Sequence, residues 1–208
     1  MTRTHDPSPH QQERLERFAV RVAASPHNLV SRRAREELRS RHVPECVALA
    51  GLLPRGTARL LDIGSGGGLP GLVIAIVRPD LEVHLLDSTR KKTAFLREVA
   101  AELEVPITVH TGRAEDLATT PLAGSFDLVT ARAVASLAQL IPLAVPFLAR
   151  QGLLYAVKGE RWAAELDEAA AVLPRQGARV VATPGDVAGA GDGDGDPTPR
   201  VVIIGRSR

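Results

Sequence analysis

The spacing of apolar positions changes about a quarter of the way along the chain. Residues 1–12 are polar and contain two prolines, which predicts a tail. A helical stretch follows from residue 13, with an apolar stripe formed by Leu15, Phe18, Ala19 and Val22. Pro26, His27 and Asn28 interrupt it, and two more helical stretches are predicted over 33–38 and 47–53. We therefore expect residues 1–57 to form a tail and a short helical extension.

From residue 58 onward, apolar runs of strand length alternate with amphipathic runs of helix length. The predicted strands are 59–63, 82–87, 107–110, 126–131, 153–158, 178–183 and 200–205. The predicted helices are 70–77, 89–104, 136–149 and 161–173. Such alternation is typical of a parallel sheet with helices on both faces, and the last two strands, which have no helix between them, are expected to pair antiparallel. Residues 58–208 are thus predicted to form an α/β domain with a seven-stranded, mostly parallel sheet that ends in an antiparallel hairpin.

Composition favours an ordinary globular protein. The 208 residues are 44% hydrophobic and 24% charged, which argues against disorder and collagen-like repeats. The only cysteine, Cys46, excludes an intramolecular disulfide and a multi-cysteine zinc site. No apolar run approaches the roughly 18 residues of a membrane-spanning helix, and no secretory signal is visible. We expect a soluble cytoplasmic protein, with a monomer as the default.

Charge is distributed unevenly along the chain. The formal net charge is only +2, which does not by itself indicate a nucleic-acid partner. Residues 1–58 carry 10 Arg and 6 acidic residues, for a net +4, so the remainder is net −2. The strong excess of Arg over Lys is explained by codon bias in a GC-rich genome. The N-terminal extension is therefore the basic part of the molecule.

The strongest motif is the glycine-rich run 60–71, between the first predicted strand and its helix. It matches the pattern acidic-x-Gly-x-Gly-x-Gly with Asp62, Gly64, Gly66 and Gly68. A dinucleotide fingerprint that starts at Gly64 needs glycine at 69, where this chain has Leu69, and a later register from Gly66 starts too far beyond the strand. The run therefore favours S-adenosylmethionine over NAD, with the Asp62 carboxylate expected to face the cationic methionine end. A purely structural turn remains the alternative.

Two further strand ends carry polar residues that suit a nucleoside. Asp87 ends the second predicted strand, where a carboxylate can accept both ribose hydroxyls, although an aspartate there can also cap the next helix. After the third strand come Arg113, Ala114 and Glu115, at the place where a loop typically frames an adenine. A solvated charged loop is the alternative there.

The fourth and fifth parallel strands end in cations, Arg132 and Lys158. Cations on the ligand edge of a parallel sheet suit an anionic or hydrogen-bond-accepting substrate such as an RNA phosphate or a guanine edge. The fourth strand lacks the Pro-Pro-aromatic stretch of amino-group methylation, and Cys46 lies far from the edge in sequence, which argues against cytosine-C5 chemistry. Guanine N7 carries a lone pair and no proton, so a site without an obvious base is compatible with it.

Together these segments resemble the RsmG (GidB) family of bacterial small-subunit rRNA guanine-N7 methyltransferases. The segments that carry the resemblance are Asp62–Gly71, Leu86-Asp87-Ser88, Lys91-Lys92, Phe95-Leu96, Arg132-Ala133-x-Ala135-Ser136 and Lys158-Gly159. The resemblance runs from about residue 28 to residue 204. It implies a class I (Rossmann-like) S-adenosylmethionine-dependent methyltransferase fold that methylates N7 of a guanine in 16S rRNA, guanine 527 by the family pattern.

The resemblance also implies roles for single residues. Gly64 and Leu69 would contact the cofactor, Ala114 and Glu115 would frame its adenine, and Arg132 would lie beside the reacting groups. The implied basic rim for RNA consists of Arg113, Arg132 and Lys158, and the predicted catalytic residues are Arg132, as a positioning group, and Lys158. Where the family has Arg-His-x-x-Asp-Ser, this chain has Glu45-Cys46 in place of the final Asp-Ser. His42, in the same segment, is expected either to line the cleft or to cap a helix.

Other functions and partners stay open at this point. A non-catalytic RNA-binding or ribosome-assembly factor and, with less support, an NAD(P)-dependent oxidoreductase are the alternatives. The expected partner is 16S rRNA or a small-subunit particle, with no membrane and no metal. Asp192, Asp194 and Asp196 mimic the start of a calcium loop, but Pro197 and Ile203 stand where that loop needs Gly and Glu, so we expect a solvated loop.

Overall fold

A single seven-stranded sheet organises the protein in a computed structural model that describes residues 6–26, 29, 31–187 and 198–207. The strands are β1 (Ala58–Ile63), β2 (Leu81–Asp87), β3 (Thr108–Thr111), β4 (Phe126–Arg132), β5 (Leu148–Lys158), β6 (Ala178–Ala182) and β7 (Arg200–Arg206). Their order across the sheet is β3-β2-β1-β4-β5-β7-β6. The first five are parallel, and β7 pairs antiparallel with both β5 and β6. The predicted mostly parallel sheet with a terminal antiparallel hairpin is confirmed.

Helices lie before and between the strands. The described helices are α1 (Pro9–Ala24), α2 (Arg32–Glu36), a π-helical turn (Leu38–His42), α3 (Val43–Leu52), α4 (Gly71–Val77), α5 (Arg90–Glu102), α6 (Ala114–Leu117), α7 (Leu137–Ala144), α8 (Trp162–Ala169) and α9 (Val172–Arg175). None of them combines the length and the apolar character needed to cross a membrane. The strand order changes direction between β1 and β4, which is where open parallel sheets bind ligands at the carboxyl ends of their strands.

Several boundaries differ from the prediction. The helix predicted over 136–149 ends at Ala144, because a short 3-10 turn leads from it into β5, which begins at Leu148 rather than at 153. The predicted tail is also too long, since α1 begins at Pro9 behind a capping box between Ser8 and Gln11. The Gln11 side chain donates to the carbonyls of Ile76 and Val77 at 3.1 and 3.0 Å, so this first turn is held by α4.

The N-terminal extension shares its core with the sheet. Phe18 and Val22 of α1 are completely buried in the same apolar cluster as Leu72 of α4 and Leu96 of α5. The buried Arg78 guanidinium donates to three carbonyls at the end of α3, those of Ala50, Leu53 and Pro54. The division at residue 57 stays a prediction, but the structure packs the extension against the face of the sheet that carries α4 and α5. The Asp/Gly-rich run at 192–196 lies outside the described residues.

Candidate active site

The glycine run after β1 turns over the carboxyl end of that strand. Gly64, Gly66 and Gly68 have φ values of +70°, +53° and +99°, in the region that glycine adopts without steric cost. The Gly64 amide donates to the carbonyl of Leu86 at 2.8 Å, which ties the run to β2. A Cβ added at Gly64 would lie 2.6 Å from Cγ2 of Val134. There is therefore no room for a side chain at Gly64, because Val134 packs against it.

The Asp62 carboxylate lies beneath this run. Its side chain is completely buried, Oδ2 accepts the Gly71 amide at 3.1 Å, and Oδ1 accepts the Thr130 hydroxyl at 2.8 Å. Burial raises the pKa of Asp62 to about 6 in spite of these hydrogen bonds. The expected orientation toward the cofactor is corrected, because a carboxylate enclosed in this way cannot contact a ligand. Asp62 instead joins the start of α4 to β4.

Asp87 connects the glycine run to β2 and α5. Its Oδ2 accepts the Gly66 amide at 3.0 Å and its Oδ1 accepts the Thr89 amide at 2.8 Å. The residue that caps α5 is Thr89, so Asp87 does not take the alternative capping position. Lys92 Nζ lies 3.8 Å from Oδ2. A carboxylate oxygen can accept more than one hydrogen bond, so Asp87 retains capacity for ribose hydroxyls at the strand end.

The N-terminal extension covers the other side of the glycine run. A Cβ at Gly68 would lie 3.0 Å from Cε2 of Phe18 in α1. A Cβ at Gly66 would lie 3.5 Å from the carbonyl oxygen of Leu29. Leu69, the residue expected to contact the cofactor, is 9% exposed. The extension is thus part of the wall of the site.

The third strand end is shaped by a helical turn that the sequence pattern does not predict. The turn α6 has only four residues, too few for a helical repeat to show, and it begins at Ala114. Ala114 is buried, whereas the side chains of Arg113 and Glu115 are 68% and 52% exposed and lie 3.5 Å apart. The expected adenine-framing pair and the expected rim cation therefore lie next to each other at the edge.

Arg132, at the end of β4, points into the N-terminal extension. Its Nη2 lies 3.1 Å from Oε2 of Glu45, and the two side chains are 16% and 17% exposed. Nη2 also contacts Nδ1 of His42, and Nη1 lies 3.5 Å from the His42 carbonyl. Burial raises the pKa of Glu45, but hydrogen bonds from His42 and Arg41 and the charge of Arg132 outweigh it and lower the pKa to about 2. The predicted rim cation is therefore ion-paired.

This cluster also fixes the surroundings of His42 and Cys46. Nδ1 of His42 contacts both Nη2 of Arg132 and Oε2 of Glu45, the latter at 3.3 Å. Sγ of Cys46 lies 3.5 Å from Nη1 of Arg132, although the sequence separates them by 86 positions. Burial raises the pKa of Cys46 to about 12. Such a thiol stays protonated at neutral pH and is unsuited to nucleophilic attack.

Lys158, at the end of β5, is also ion-paired. Its Nζ donates to the carbonyl of Ala135 at 2.6 Å and lies 2.7 Å from Oε2 of Glu165 in α8. The same oxygen accepts the Leu137 amide at 3.0 Å. The side chain is only 7% exposed, and its predicted roles in catalysis and RNA binding stay predictions. Lys158 and Glu165 hold the loop that places Val134 over Gly64.

Unpaired cations lie at the start of α5. The side chains of Arg90 and Lys91 are exposed and have no carboxylate partner within the described part of the chain. They follow Asp87 by three and four positions, so they lie beside the ligand edge. A helix N-terminus disfavours positive charge, so these two cations do not stabilise α5.

Sequence reasoning missed the residues that support this edge. Ser65 is buried, and its hydroxyl donates to the Asp62 carbonyl and accepts the Leu86 amide, at 2.9 and 3.2 Å. Glu45 and Glu165 hold the two cations. Ser65 lies inside the glycine motif, which was a usable signal. Glu165 lies in a helix with no motif to mark it, whereas Glu45 lies where the family pattern has Asp, although the pattern did not identify Arg132 as its partner.

Comparisons with known proteins agree with this geometry. The family profile described as GidB, rRNA small subunit methyltransferase G, matches residues 11–190. A relative in Sorangium cellulosum with the name ribosomal RNA small subunit methyltransferase G is 50% identical over 163 residues, which cover 76% of this chain and 68% of the relative. The proteins of the same name in Thermobifida fusca and Mycobacterium avium are 46% and 42% identical, covering 71% and 76% of this chain. The chain spans 58% to 68% of the length of such relatives.

Solved structures are similar in fold. Cofactor-bound Rv0187 from MTB has a TM-score of 0.57 and 20% identity, and the match covers 97% of this chain and 90% of that one. A ribosomal protein L11 methylase from Lactobacillus delbrueckii subsp. bulgaricus has a TM-score of 0.57 and 16% identity, covering 84% of this chain and 80% of that one. These matches confirm the predicted class I methyltransferase fold.

Proposed function

Because the chain belongs to the family of rRNA small subunit methyltransferase G, we propose that it transfers a methyl group from S-adenosylmethionine to N7 of a guanine in 16S rRNA. Membership of a methyltransferase family confirms the predicted cofactor, S-adenosylmethionine. The observation that carries the proposal is the match to this family over most of the chain. The structure agrees with it, since the glycine run is hydrogen-bonded to Asp87 at the carboxyl edge of the sheet. The target is guanine 527 by the family resemblance.

The residues present fit the cofactor. Three glycines with positive φ let the run turn tightly at the end of β1, and the Gly66 amide is already oriented by Asp87. We assign the methionine end to the run from Gly64 to Leu69, the ribose to Asp87, and the adenine to Ala114 and Glu115. When bound, the sulfonium supplies the methyl group and leaves as a neutral thioether. The chain has only to align the nucleophile with that methyl group.

The described carboxylates around Arg132 and the glycine run do not offer a free general base. Asp62 is enclosed, Asp87 is bonded to two backbone amides, and Glu45 is held ionised by Arg132 and Arg41. Guanine N7 needs no base, because its lone pair attacks directly and no proton leaves. Arg132 supplies a donor that suits the guanine O6 edge. The arrangement therefore supports N7 over target atoms that carry a proton.

RNA is proposed to approach over the start of α5 and the end of β3. Arg90, Lys91 and Arg113 are the exposed cations at that part of the edge. Exposed guanidinium and ammonium groups bind phosphates without sequence preference, which positions a substrate rather than selecting it. Arg132 then meets the target base deeper in the site.

Mass mapping of 16S rRNA tests the proposal. A strain that lacks the protein should lose one N7-methylguanosine, the wild-type gene should restore it, and Arg132→Ala should restore little. Arg150→Ala, which removes an exposed arginine near the start of β5, is the matched control and should restore it fully. Purified protein would be given naked 16S rRNA and small subunits in parallel, which decides between the two as substrate. No change in N7-methylguanosine on deletion would contradict the proposal.

Isothermal titration separates the alternatives. We expect S-adenosylmethionine to bind and NAD not to bind. Binding of NAD alone would favour the oxidoreductase. Binding of S-adenosylmethionine and rRNA without any methylated product would favour a non-catalytic assembly factor.

A further inference from the structure

We propose that Glu45 of the N-terminal extension is a positioning residue for Arg132, so that the extension completes the part of the site that orients the target base. The inference rests on the proposed function, since Arg132 is the side chain assigned to the base. The carboxylate lies in α3 and the guanidinium at the end of β4, 87 positions apart. The contact therefore connects the extension directly to the ligand edge of the sheet.

The two carboxylate oxygens of Glu45 have different partners. Oε2 faces Nη2 of Arg132 at 3.1 Å, and Oε1 accepts from Nε of Arg41 at 2.8 Å. Because both oxygens are engaged, the Glu45 side chain is fixed in orientation, and it transmits that orientation to Arg132.

The π-helical turn supplies the second support. His42, its last residue, offers both its ring nitrogen and its backbone carbonyl to Arg132. Turns of this type are uncommon and are frequent at functional sites, where they redirect a side chain out of an α-helical path. Glu45 and His42 approach the Nη atoms of the guanidinium. Within the described residues its Nε makes no hydrogen bond, so this donor is available to a base.

Stability alone does not explain this pair. Other ion pairs of the extension, such as Arg32–Glu36 and Arg33–Glu37, join neighbours on one exposed helical face. Arg132 and Glu45 are both largely withdrawn from water, and a withdrawn ion pair is often no more stabilising than apolar packing of similar volume. Burying the Arg132–Glu45 pair costs desolvation free energy. We therefore explain the pair by its orientation of the guanidinium that is assigned to the target guanine.

Glu45→Gln tests the inference, with Glu37→Gln as the matched control. Both variants remove a carboxylate that binds Arg41, but only Glu45 contacts Arg132. Methyl transfer to 16S rRNA, cofactor affinity by isothermal titration and thermal unfolding are measured on the full chain. We expect Glu45→Gln to lower kcat by about ten- to a hundredfold, the size associated with misplacing a group by about 1 Å. Cofactor affinity should stay within about twofold, as should the kcat of Glu37→Gln.

A double-mutant cycle with Arg132→Lys separates positioning from a general loss of structure. If Glu45 acts through Arg132, the loss in the double variant should be clearly smaller than the product of the two single losses. Glu45→Asp keeps the charge and should recover kcat to within about fivefold of the wild type, since a shorter carboxylate still pairs with a guanidinium. If Glu45→Gln does not fold, the pair Glu45→Asp and Glu45→Asn repeats the comparison at equal size.

The outcomes are distinct. Wild-type protein that methylates no guanine overturns the proposed function itself. Active wild type with equal kcat for Glu45→Gln and Glu37→Gln overturns the role of Glu45, as does a multiplicative loss with Arg132→Lys. A loss that follows the unfolding temperature and cofactor affinity, without recovery in Glu45→Asp, assigns Glu45 to packing and also overturns it.

Discussion

The ligand edge of the sheet has two halves that are held in different ways. At β1 and β2, carboxylates bind backbone amides: Asp87 binds the Gly66 amide and Asp62 binds the Gly71 amide. At β4 and β5, carboxylates bind side-chain cations, in the pairs Arg132–Glu45 and Lys158–Glu165. The first half fixes the shape of the backbone, and the second fixes the direction of two charged groups. We therefore expect a ligand to meet a rigid cradle on one side and the oriented guanidinium of Arg132 on the other.

The largest effect is expected from Gly64→Ala in the β1–β2 half. The new Cβ would lie 2.6 Å from Val134 and would force a φ of +70° on a residue that disfavours it. We expect cofactor affinity and methyl transfer to fall by about a hundredfold or more, because a clash in the cradle shifts the site by a large part of an ångström. Isothermal titration and an activity assay measure the two losses.

Gly177→Ala is the matched control for that prediction. Gly177 has a φ of +57°, and nothing lies within 4 Å of the added Cβ. It should cost about 1 kcal/mol of stability from backbone strain and leave cofactor affinity unchanged. Equal affinities for the two variants would show that the approach of Val134 to Gly64 is irrelevant to binding.

The two halves also differ in how well the sequence predicts them. The glycine run and Asp87 are recognisable because their partners lie in or next to the same strand ends, within about 25 positions. The sequence likewise predicts the order of helices and strands, since apolar spacing reports burial directly. Arg132 and Lys158 were correctly placed at strand ends, but the sequence did not show that each of them is ion-paired. Whether a cation is free depends on what packs over it, and Glu45 arrives from an element 87 positions away.

The boundaries that failed have physical causes of their own. The tail prediction ended at residue 12 because Ser8 and Gln11 are polar, yet those two side chains form the capping box that starts α1. The turn α6 was missed because four residues carry no periodicity. The sequence identified Asp62 as part of the motif but did not predict where its side chain points. A strand buried on both faces has no alternation of polar and apolar residues from which to infer that direction.

Lys158→Gln tests the β4–β5 half through its loop. It leaves Glu165 without its cation and frees the Ala135 carbonyl, so the loop that carries Val134 should loosen. We expect kcat to fall by about tenfold, as for the removal of a supporting hydrogen bond, with the affinity for RNA almost unchanged. A loss confined to RNA affinity would show that Lys158 binds RNA directly and that the pair with Glu165 opens in the complex.

Asp62→Asn tests the hydrogen bond that connects the two halves, in which the Asp62 carboxylate accepts from the Thr130 hydroxyl of β4. The pKa of Asp62 is raised to about 6 from 3.8, so ionisation opposes folding above pH 6, by up to about 3 kcal/mol. This cost is relieved as the pH falls from 6 toward 3.8. Asparagine does not ionise, so the variant should unfold several degrees higher at pH 7.5 and lose this advantage near pH 4. Unfolding temperatures across that range measure it.

The pKa shift of Glu45 has the opposite sign to that of Asp62, and it affects stability over a different pH range. Its pKa is lowered to about 2 from 4.5, so its contribution to stability is present above pH 4.5 and is lost as the pH falls toward 2. The difference between wild type and Asp62→Asn should therefore vary between pH 4 and 6, where Glu45 stays ionised in the folded state. An unchanged difference over that range would show that the pKa of Asp62 is the same in the folded and the unfolded protein.

The smallest effect, and the sharpest test of paired against unpaired cations, is the salt dependence of RNA binding. Arg90→Gln and Lys91→Gln each remove an exposed cation beside the edge, whereas Lys158→Gln removes a buried, paired one. The slope of log affinity against log salt concentration should become shallower by about 0.7 to 0.9 for each phosphate that the variant no longer binds. We expect that change for Arg90 and Lys91, and none for Lys158 or for the control Arg150→Gln. The reason for the expected lack of change in Lys158→Gln is that a cation already neutralised by Glu165 releases no counterion from RNA. An equal change in all four slopes would mean that exposure in the free protein does not decide which cations contact the phosphates.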